Sequence, residues 1–286
     1  MIEETGFNNI LTSVIDRFAN TADAQEPGDF IGADGLLHCG KCNTAKQVRA
    51  VVPSMGIDRV VNCLCKCKAE ERDREEAEEK ARKLRAEINN RKRESFPDWE
   101  LSKFTFDKDD RANARISDAM QRYCANFEKF KADGKGLILY GGVETGKTFI
   151  ACCVANELIE KGYRVLATNF SRIVNTAWNI DDKQAYYDRL NSYDLLVIDD
   201  LGAERNSDFM QEIIFNVIDS RDRSGLPLII TTNLTIDELK APADLAKQRI
   251  YSRVLKMCFP VEVAGIQRRR EIVKRDYAPM KELLGL

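Results

Sequence analysis

The sequence predicts an α/β fold: a parallel sheet with helices on both faces, preceded by a small cysteine-rich unit and a long charged helix. Three observations predict it. Short apolar runs of strand length alternate with helical stretches through the last two-thirds of the 286-residue chain, the pattern of a parallel sheet with crossover helices. Cys39, Cys42, Cys63, Cys65 and Cys67 crowd into one stretch of the first third. Between the two, Lys68 to Arg93 is dense in Glu, Lys and Arg and contains neither Pro nor Gly.

Taken in chain order, the first element is an apolar stripe. Ile10, Leu11, Val14, Ile15 and Phe18 recur at helical spacing, which reads as a helix packed on the cysteine-rich unit or docking a partner. Cys39 and Cys42 then form C-x-x-C. Val48 to Val52 and Arg59 to Val61 read as two strands, joined by the turn signal Pro53-Ser54-Met55-Gly56. Two cysteine pairs at the base of such a hairpin bring four thiolates to tetrahedral distance around Zn²⁺. The ligand set is Cys39, Cys42, Cys65 and Cys67, with Cys63 competing for one place because C-x-C-x-C offers three choices. His38, the one histidine, reads as a bystander. The charged helix follows, with only Ala77, Ala81, Leu84 and Ile88 as a narrow apolar stripe, and Ser95-Phe96-Pro97 ends it. These boundaries give three parts: a zinc-binding domain over 1–67, a linker helix over 68–95 and a nucleotide-binding domain over 96–286.

The last part takes its assignment from Gly141-Gly142-Val143-Glu144-Thr145-Gly146-Lys147-Thr148, which fits G-x-x-x-x-G-K-[ST]. The apolar run Leu137 to Tyr140 precedes it as a strand, and Phe149 to Ile159 follows as a helix. Glycines let the backbone curl so that several N–H groups face one phosphate chain, and the helix N-terminus adds positive charge. Lys147 then reaches the β- and γ-phosphates and the Thr148 hydroxyl binds Mg²⁺, with Phe149 closing the nucleotide-binding set. Tyr163 to Thr168 supplies another strand.

Asp194 to Asp200 is an apolar strand ending in two acids. Asp199 would hold Mg²⁺ through water and Asp200 would orient or deprotonate the attacking water. Glutamate is commoner at the second place; the shorter aspartate suits slow hydrolysis. Leu228 to Asn233 is a further strand ending in polar residues, with Asn233 placed to contact the γ-phosphate or the attacking water. From Lys247 to Arg275, nine Lys and Arg stand against Glu262 and Glu271. Such a stretch calls for anionic company: γ-phosphate, DNA or acidic neighbours. Cys124, Cys152, Cys153 and Cys258 sit in apolar patterns and read as core.

Composition bounds the rest. A net charge of −2 with 31% charged residues gives no overall pull toward DNA or anionic lipid. No apolar run approaches the roughly 20 residues that span a bilayer. The acidic start, Met1-Ile2-Glu3-Glu4, lacks a signal-peptide pattern, so a cytoplasmic protein is expected, in which nine cysteines serve metal binding or packing.

The order of these pieces resembles an AAA+ ATPase, in particular the DnaC/DnaI family of replicative helicase loaders, and within it the phage-like members that carry a zinc-bearing domain in front. The resemblance spans nearly the whole chain and is firmest from Phe104 to Ala278. It implies a P-loop AAA+ parallel sheet, with Asn233 as sensor 1 and Arg253 as the arginine finger, Arg249 being its understudy. Arg269 fits the sensor-2 arginine, with Arg268 and Arg270 as alternative registers. A finger acting on the neighbour's nucleotide implies a ring or spiral of subunits. The resemblance further implies ATP rather than GTP, a hexameric DnaB-type helicase gripped by the N-terminal domain, and emerging single-stranded DNA held by Lys and Arg with aromatic stacking; Phe170, Trp178, Tyr186 and Tyr187 are the stacking candidates. An IstB-type transposase helper shares the core motifs but is not expected to carry the cysteines in front. A nucleotide-binding zinc adaptor without turnover is the remaining alternative.

Overall fold

The computed structural model describes residues 25–53, 56–202, 207–242, 244–265, 277, 279–280 and 283–284. The apolar stripe from Ile10 to Phe18 and the arginines 268–270 lie outside them. The chain divides into two compact units, Met1–Arg85 and Ala86–Leu286. No helix among the described residues is long and apolar enough to cross a membrane.

The first unit is a small β structure. Two short strands, β1 (Phe30–Ile31) and β2 (Leu37–His38), pair antiparallel, and the hairpin β3 (Gln47–Val52) and β4 (Ile57–Asn62) follows. The Gly56 N–H donates to Pro53 O across the hairpin turn (3.2 Å), with Gly56 at φ 65°. Isolated two-stranded hairpins are marginal in water. The unit draws further cohesion from Lys46, nearly inaccessible, whose ammonium donates to Asp29 at 2.7 Å. That pair, with N–H groups of Gly40 and Glu26 on the same carboxylate, holds Asp29 down at about 2, the Lys46 contact being the largest cause. Helix α1 (Lys66–Ser95) is laced with i,i+4 pairs such as Lys83–Glu79 and Arg91–Glu87, which suits a polar helix standing in solvent.

The second unit is a five-stranded, wholly parallel sheet in the order β6-β7-β8-β5-β9. Its strands are β5 (Gly136–Tyr140), β6 (Val165–Asn169), β7 (Leu195–Leu201), β8 (Leu228–Thr232) and β9 (Cys258–Glu262). The helices are α2 (Ala114–Ala125), α3 (Phe127–Ala132), α4 (Lys147–Glu160), α5 (Phe170–Trp178), α6 (Lys183–Asn191), α7 (Asp208–Ser224), α8 (Ile236–Lys240) and α9 (Leu245–Met257). Alternation along the strands feeds two cores, one on each face. Leu196, Ile198, Leu228 and Ile230 join Phe170, Val217 and Val254; Leu195, Val197 and Ile229 join Tyr123, Val154 and Leu158. Because both faces are covered, the strands read as near-continuous apolar runs. Cys124, Cys152, Cys153 and Cys258 are all buried in these layers. Gly136 is required by the central pairing: a Cβ there would lie 1.7 Å from Leu228 O.

The β7–β8 ladder carries an irregularity that bears on the site. Ile198 pairs with Ile230, yet Leu201 pairs with Thr232. Two residues, Asp199 and Asp200, therefore face the single Thr231, which is the count of a β-bulge. Asp200 takes φ 60°, the left-handed region that is strained for most side chains and more tolerable for Asp and Asn.

Candidate nucleotide site and cysteine cluster

The phosphate loop bridges the end of β5 and the start of α4. Gly141 (φ 147°), Glu144 (φ 67°) and Gly146 (φ 95°) turn its backbone, Gly146 serving as the N-cap of α4. Successive turns of this kind aim N–H groups into one concavity, an anion nest at the positive end of a helix. A Cβ on Gly141 would stand 2.5 Å from Val263 O, so the loop closes against the segment after β9 only with glycine there. Lys147 is 5% exposed; its ammonium donates to Gly141 O (3.1 Å) and Gly142 O (2.5 Å). Burial pulls its pKa down, opposed by the charges of Asp200 and Asp199. The cation is thus stored over its own loop, among acceptors that a phosphate would replace.

Thr148, in the first turn of α4, donates to Asp199 at 2.9 and 3.0 Å to its two oxygens. Thr231, fully buried on β8, also donates to Asp199, at 2.5 Å. Burial raises the Asp199 pKa, while the hydroxyls of Thr231 and Thr148 and the charge of Lys147 pull it down. A half-buried carboxylate beside a threonine hydroxyl, with a second acid next to it, is a hard-oxygen donor set that fits Mg²⁺. Thr148 and Asp199 would hold the ion, which would supply positive charge to offset that of the phosphates.

The sequence-predicted residues fall out unevenly. Lys147 lies over its own loop, and Thr148 at the loop's end meets Asp199. Asp200 is exposed at the bulge, and Asn233 is exposed just beyond β8. The Phe149 ring packs at a tilt against Phe104, centroids 5.3 Å apart, partly buried against the core on that face. Arg253 on α9 donates to Asp219 of α7 (3.0 Å) and to Arg249 O (3.0 Å). Arg249 and Arg253 both lie over the Phe215 ring, at 4.3 and 4.6 Å, and Arg249 is the more exposed. Lys256 pairs with Asp222 at 2.9 Å. The described part of the basic stretch therefore finds acidic company on α7. Thr231 is the residue that sequence reasoning missed. The available signal was two threonines closing an otherwise wholly aliphatic strand, opposite two acids.

In the first unit, Cys39, Cys42, Cys65 and Cys67 bring their sulfurs within 4.8 Å of one another. Cys39 and Cys65 approach Cys67 at 3.6 and 3.4 Å. Four thiolates about 2.3 Å from a tetrahedral Zn²⁺ stand about 3.8 Å apart, so the spacing and the soft donor set fit zinc. Cys63 is not in the group; its thiol is turned to Ala45 O at 3.5 Å, and burial raises its pKa. Thr44 fixes one ligand from behind: its hydroxyl lies 3.0 Å from Cys42 Sγ and accepts from the Lys66 N–H. The Thr44 contact, with N–H groups of the knuckle, holds Cys42 down at about 5, whereas hydrogen bonds from Cys65, Cys42 and Cys39 push Cys67 up to about 12. Thiols this close share protons among themselves, and a divalent cation removes that conflict.

The phosphate loop, the strand with two acids near its end and the parallel sheet together define an AAA+ nucleotide-binding fold. The profile of the IstB-like ATP binding protein family matches residues 48–274, and the chain belongs to that family. The replicative helicase loader DnaI of Bacillus subtilis (strain 168) is 32% identical over 149 residues, 48% of each chain. The replicative helicase loader DnaC of Escherichia coli (strain K12) is 27% identical over 132 residues, 44% of this chain and 53% of that one. The chain thus spans about half the length of the curated relatives it matches. Crystal structures of DnaI and of the DnaC helicase loader superpose with TM-scores of 0.50 at 22% and 24% identity, covering 60% and 58% of this chain and 94% and 99% of theirs. At that identity they establish the shared fold.

Proposed function

We propose that this chain is an ATP-driven loader of a hexameric DnaB-type replicative helicase onto single-stranded DNA, acting in the cytoplasm. The observation that carries the proposal is the convergence of Lys147, Thr148 and Asp199 on a sheet shared with two helicase loaders. In this reading residues 1–67, held by zinc, grip the helicase, 68–95 form the linker helix, and 96–286 bind and slowly hydrolyse ATP. Asp200 positions the attacking water, Asn233 senses the γ-phosphate, and Arg253 reaches the neighbouring subunit's nucleotide in a ring or spiral; Arg269 serves as sensor 2 from outside the described residues. Contacts to γ-phosphate favour one assembly and hydrolysis removes them.

Of the four aromatic candidates for DNA stacking, Phe170, Tyr186 and Tyr187 are buried in the core, which supports leaving stacking to Trp178. Its ring is 68% exposed and packs edge-on against Phe209, over which Lys183 holds a cation at 5.0 Å. An aromatic face beside basic side chains suits a single strand.

The test is native mass determination of the zinc-loaded chain mixed with the replicative helicase of its own host or phage, with ATP–Mg²⁺ and with ADP. Several copies per hexamer, fewer in ADP, are expected. No complex in either nucleotide would overturn the loader reading and favour the transposase-helper alternative.

A further inference from the structure

The bulge in the β7–β8 ladder leaves backbone groups that the regular parallel pattern would have paired. Side chains pair two of them. The Asp200 N–H donates to Thr231 Oγ1 at 2.9 Å, and Thr232 Oγ1 donates to Leu201 O at 2.7 Å. Both threonines are fully buried. The Thr231 hydroxyl has one proton, and it goes to Asp199 Oδ1. One oxygen therefore accepts from the backbone of the strained acid and donates to the carboxylate of its neighbour, using its donor and an acceptor position at once.

We propose that Thr231 is a positioning residue for the metal-binding acid: it fixes the Asp199 carboxylate and locks the bulge that presents Asp200. The inference rests on the ATP–Mg²⁺ reading of the site. Its logic is geometric. Asp199 keeps its register with Asn169 on β6, but on the β8 side it lies in the bulged stretch, where regular pairing is interrupted, so there its carboxylate takes its reference from a side chain. Thr148 provides one from α4, but that hydroxyl is itself a metal ligand in the proposed site and is called away when the ion binds. Thr231 stands on the neighbouring strand, away from the phosphate loop, and remains as the fixed reference. Loss of an outer-shell partner of this kind typically costs 10–100-fold in metal affinity. The hydroxyl rather than the shape of the side chain carries the role, because both hydrogen bonds are made by Oγ1.

The experiment compares wild type, T231V and T231S, with K147A as the binding-deficient control. A fluorescent ATP analogue reports affinity, in EDTA and across a Mg²⁺ titration. Valine preserves the branched volume and removes the hydroxyl; serine restores it. Circular dichroism and thermal melting establish that each variant is folded. The expected result is a Mg²⁺ concentration for half-maximal effect raised at least about tenfold in T231V and returned to within about threefold of wild type in T231S. Affinity in EDTA should change much less than the Mg²⁺ response. A Mg²⁺ response in T231V equal to wild type would overturn the proposal. So would an equal loss with and without Mg²⁺, or a failure of serine to restore the response in a folded variant. Wild type binding nucleotide no better than K147A would instead remove the ATP reading on which the role depends.

Discussion

Arg221 shows how much one side chain can organise. It is fully buried in the last turns of α7, and among the described residues no carboxylate pairs with its guanidinium. It donates instead to Pro227 O (2.8 and 3.2 Å), Tyr193 O (2.8 Å), Asp194 O (3.1 Å) and, more distantly, Leu190 O (3.5 Å). Burial draws its pKa down, with Asp194 opposing, while the planar fork keeps the charge shared among carbonyls. The starts of β7 and β8 and the end of α6 are thereby tied to one point. Arg221→Met keeps the apolar bulk and strands those carbonyls, so the second unit should lose about 3 kcal/mol of stability by denaturant unfolding, with Arg221→Lys recovering little. Unchanged stability in the methionine variant would refute the role. Nothing in Asp219-Ser220-Arg221-Asp222-Arg223 sets the middle arginine apart from a solvated neighbour. Its burial follows from where three chain segments end in space, and sequence spacing does not encode that. Lys147 and Asp199 were legible for the opposite reason: both belong to short contiguous motifs whose chemistry is local.

At the scale of elements, four of the five strands of the sheet were legible from their apolar runs; β9, whose Cys258-Phe259-Pro260-Val261-Glu262 carries a proline and an acid, was not. The bulge was not, because one extra residue in a ladder is a property of pairing and not of either strand alone. The cysteine hairpin divides in the same way. The spacing identified two pairs but left Cys63 competing; the fold decides, since Cys63 faces Ala45 O while Cys65 and Cys67 meet Cys39. Among the described residues, this unit has little apolar core: Leu37, Ile57, Cys39 and Cys65 are its buried hydrophobic residues, and two of those are proposed ligands. A metal bound by four thiolates supplies on the order of 10 kcal/mol or more of folding free energy, enough to decide whether such a unit is ordered. Full-length protein should therefore release about one zinc per chain when its thiols are blocked. C42S and C67S should lose the metal and expose the region before Arg85 to trypsin, leaving the second unit protected; C63S should keep both metal and protection. Zinc loss in a folded C63S protein would show the ligand set to be wrong.

At the scale of the whole molecule, the question is whether nucleotide turnover belongs to one chain or to an interface. Within the chain Arg253 is held by Asp219 and lies over Phe215, on a helix remote in sequence from the phosphate loop. A partly exposed single ion pair of this kind is worth on the order of 1 kcal/mol, so a neighbouring subunit's phosphate can compete for the guanidinium at small cost. For the same reason Arg253→Ala should leave the fold and ATP binding intact. It should remove the hydrolysis that rises with protein concentration, by about 10³-fold if the arginine acts as a finger. Asp200→Asn is the complementary lesion. Asparagine tolerates the left-handed conformation that Asp200 occupies at φ 60°, so the bulge survives while the carboxylate is lost. Each variant alone should be inactive. Mixed in equal amounts, a ring or spiral joins some intact Asp200 sites to intact Arg253 side chains, and about a quarter of the interfaces become complete. Recovery to roughly that fraction of wild-type turnover is the expected outcome. No recovery, with both variants still binding ATP and still assembling, would place the arginine in its own subunit's site. Turnover that survives in Arg253→Ala alone but is lost in Arg249→Ala, and returns when Arg249→Ala is mixed with Asp200→Asn, would move the role one turn along α9, to the more exposed arginine on the same phenyl ring.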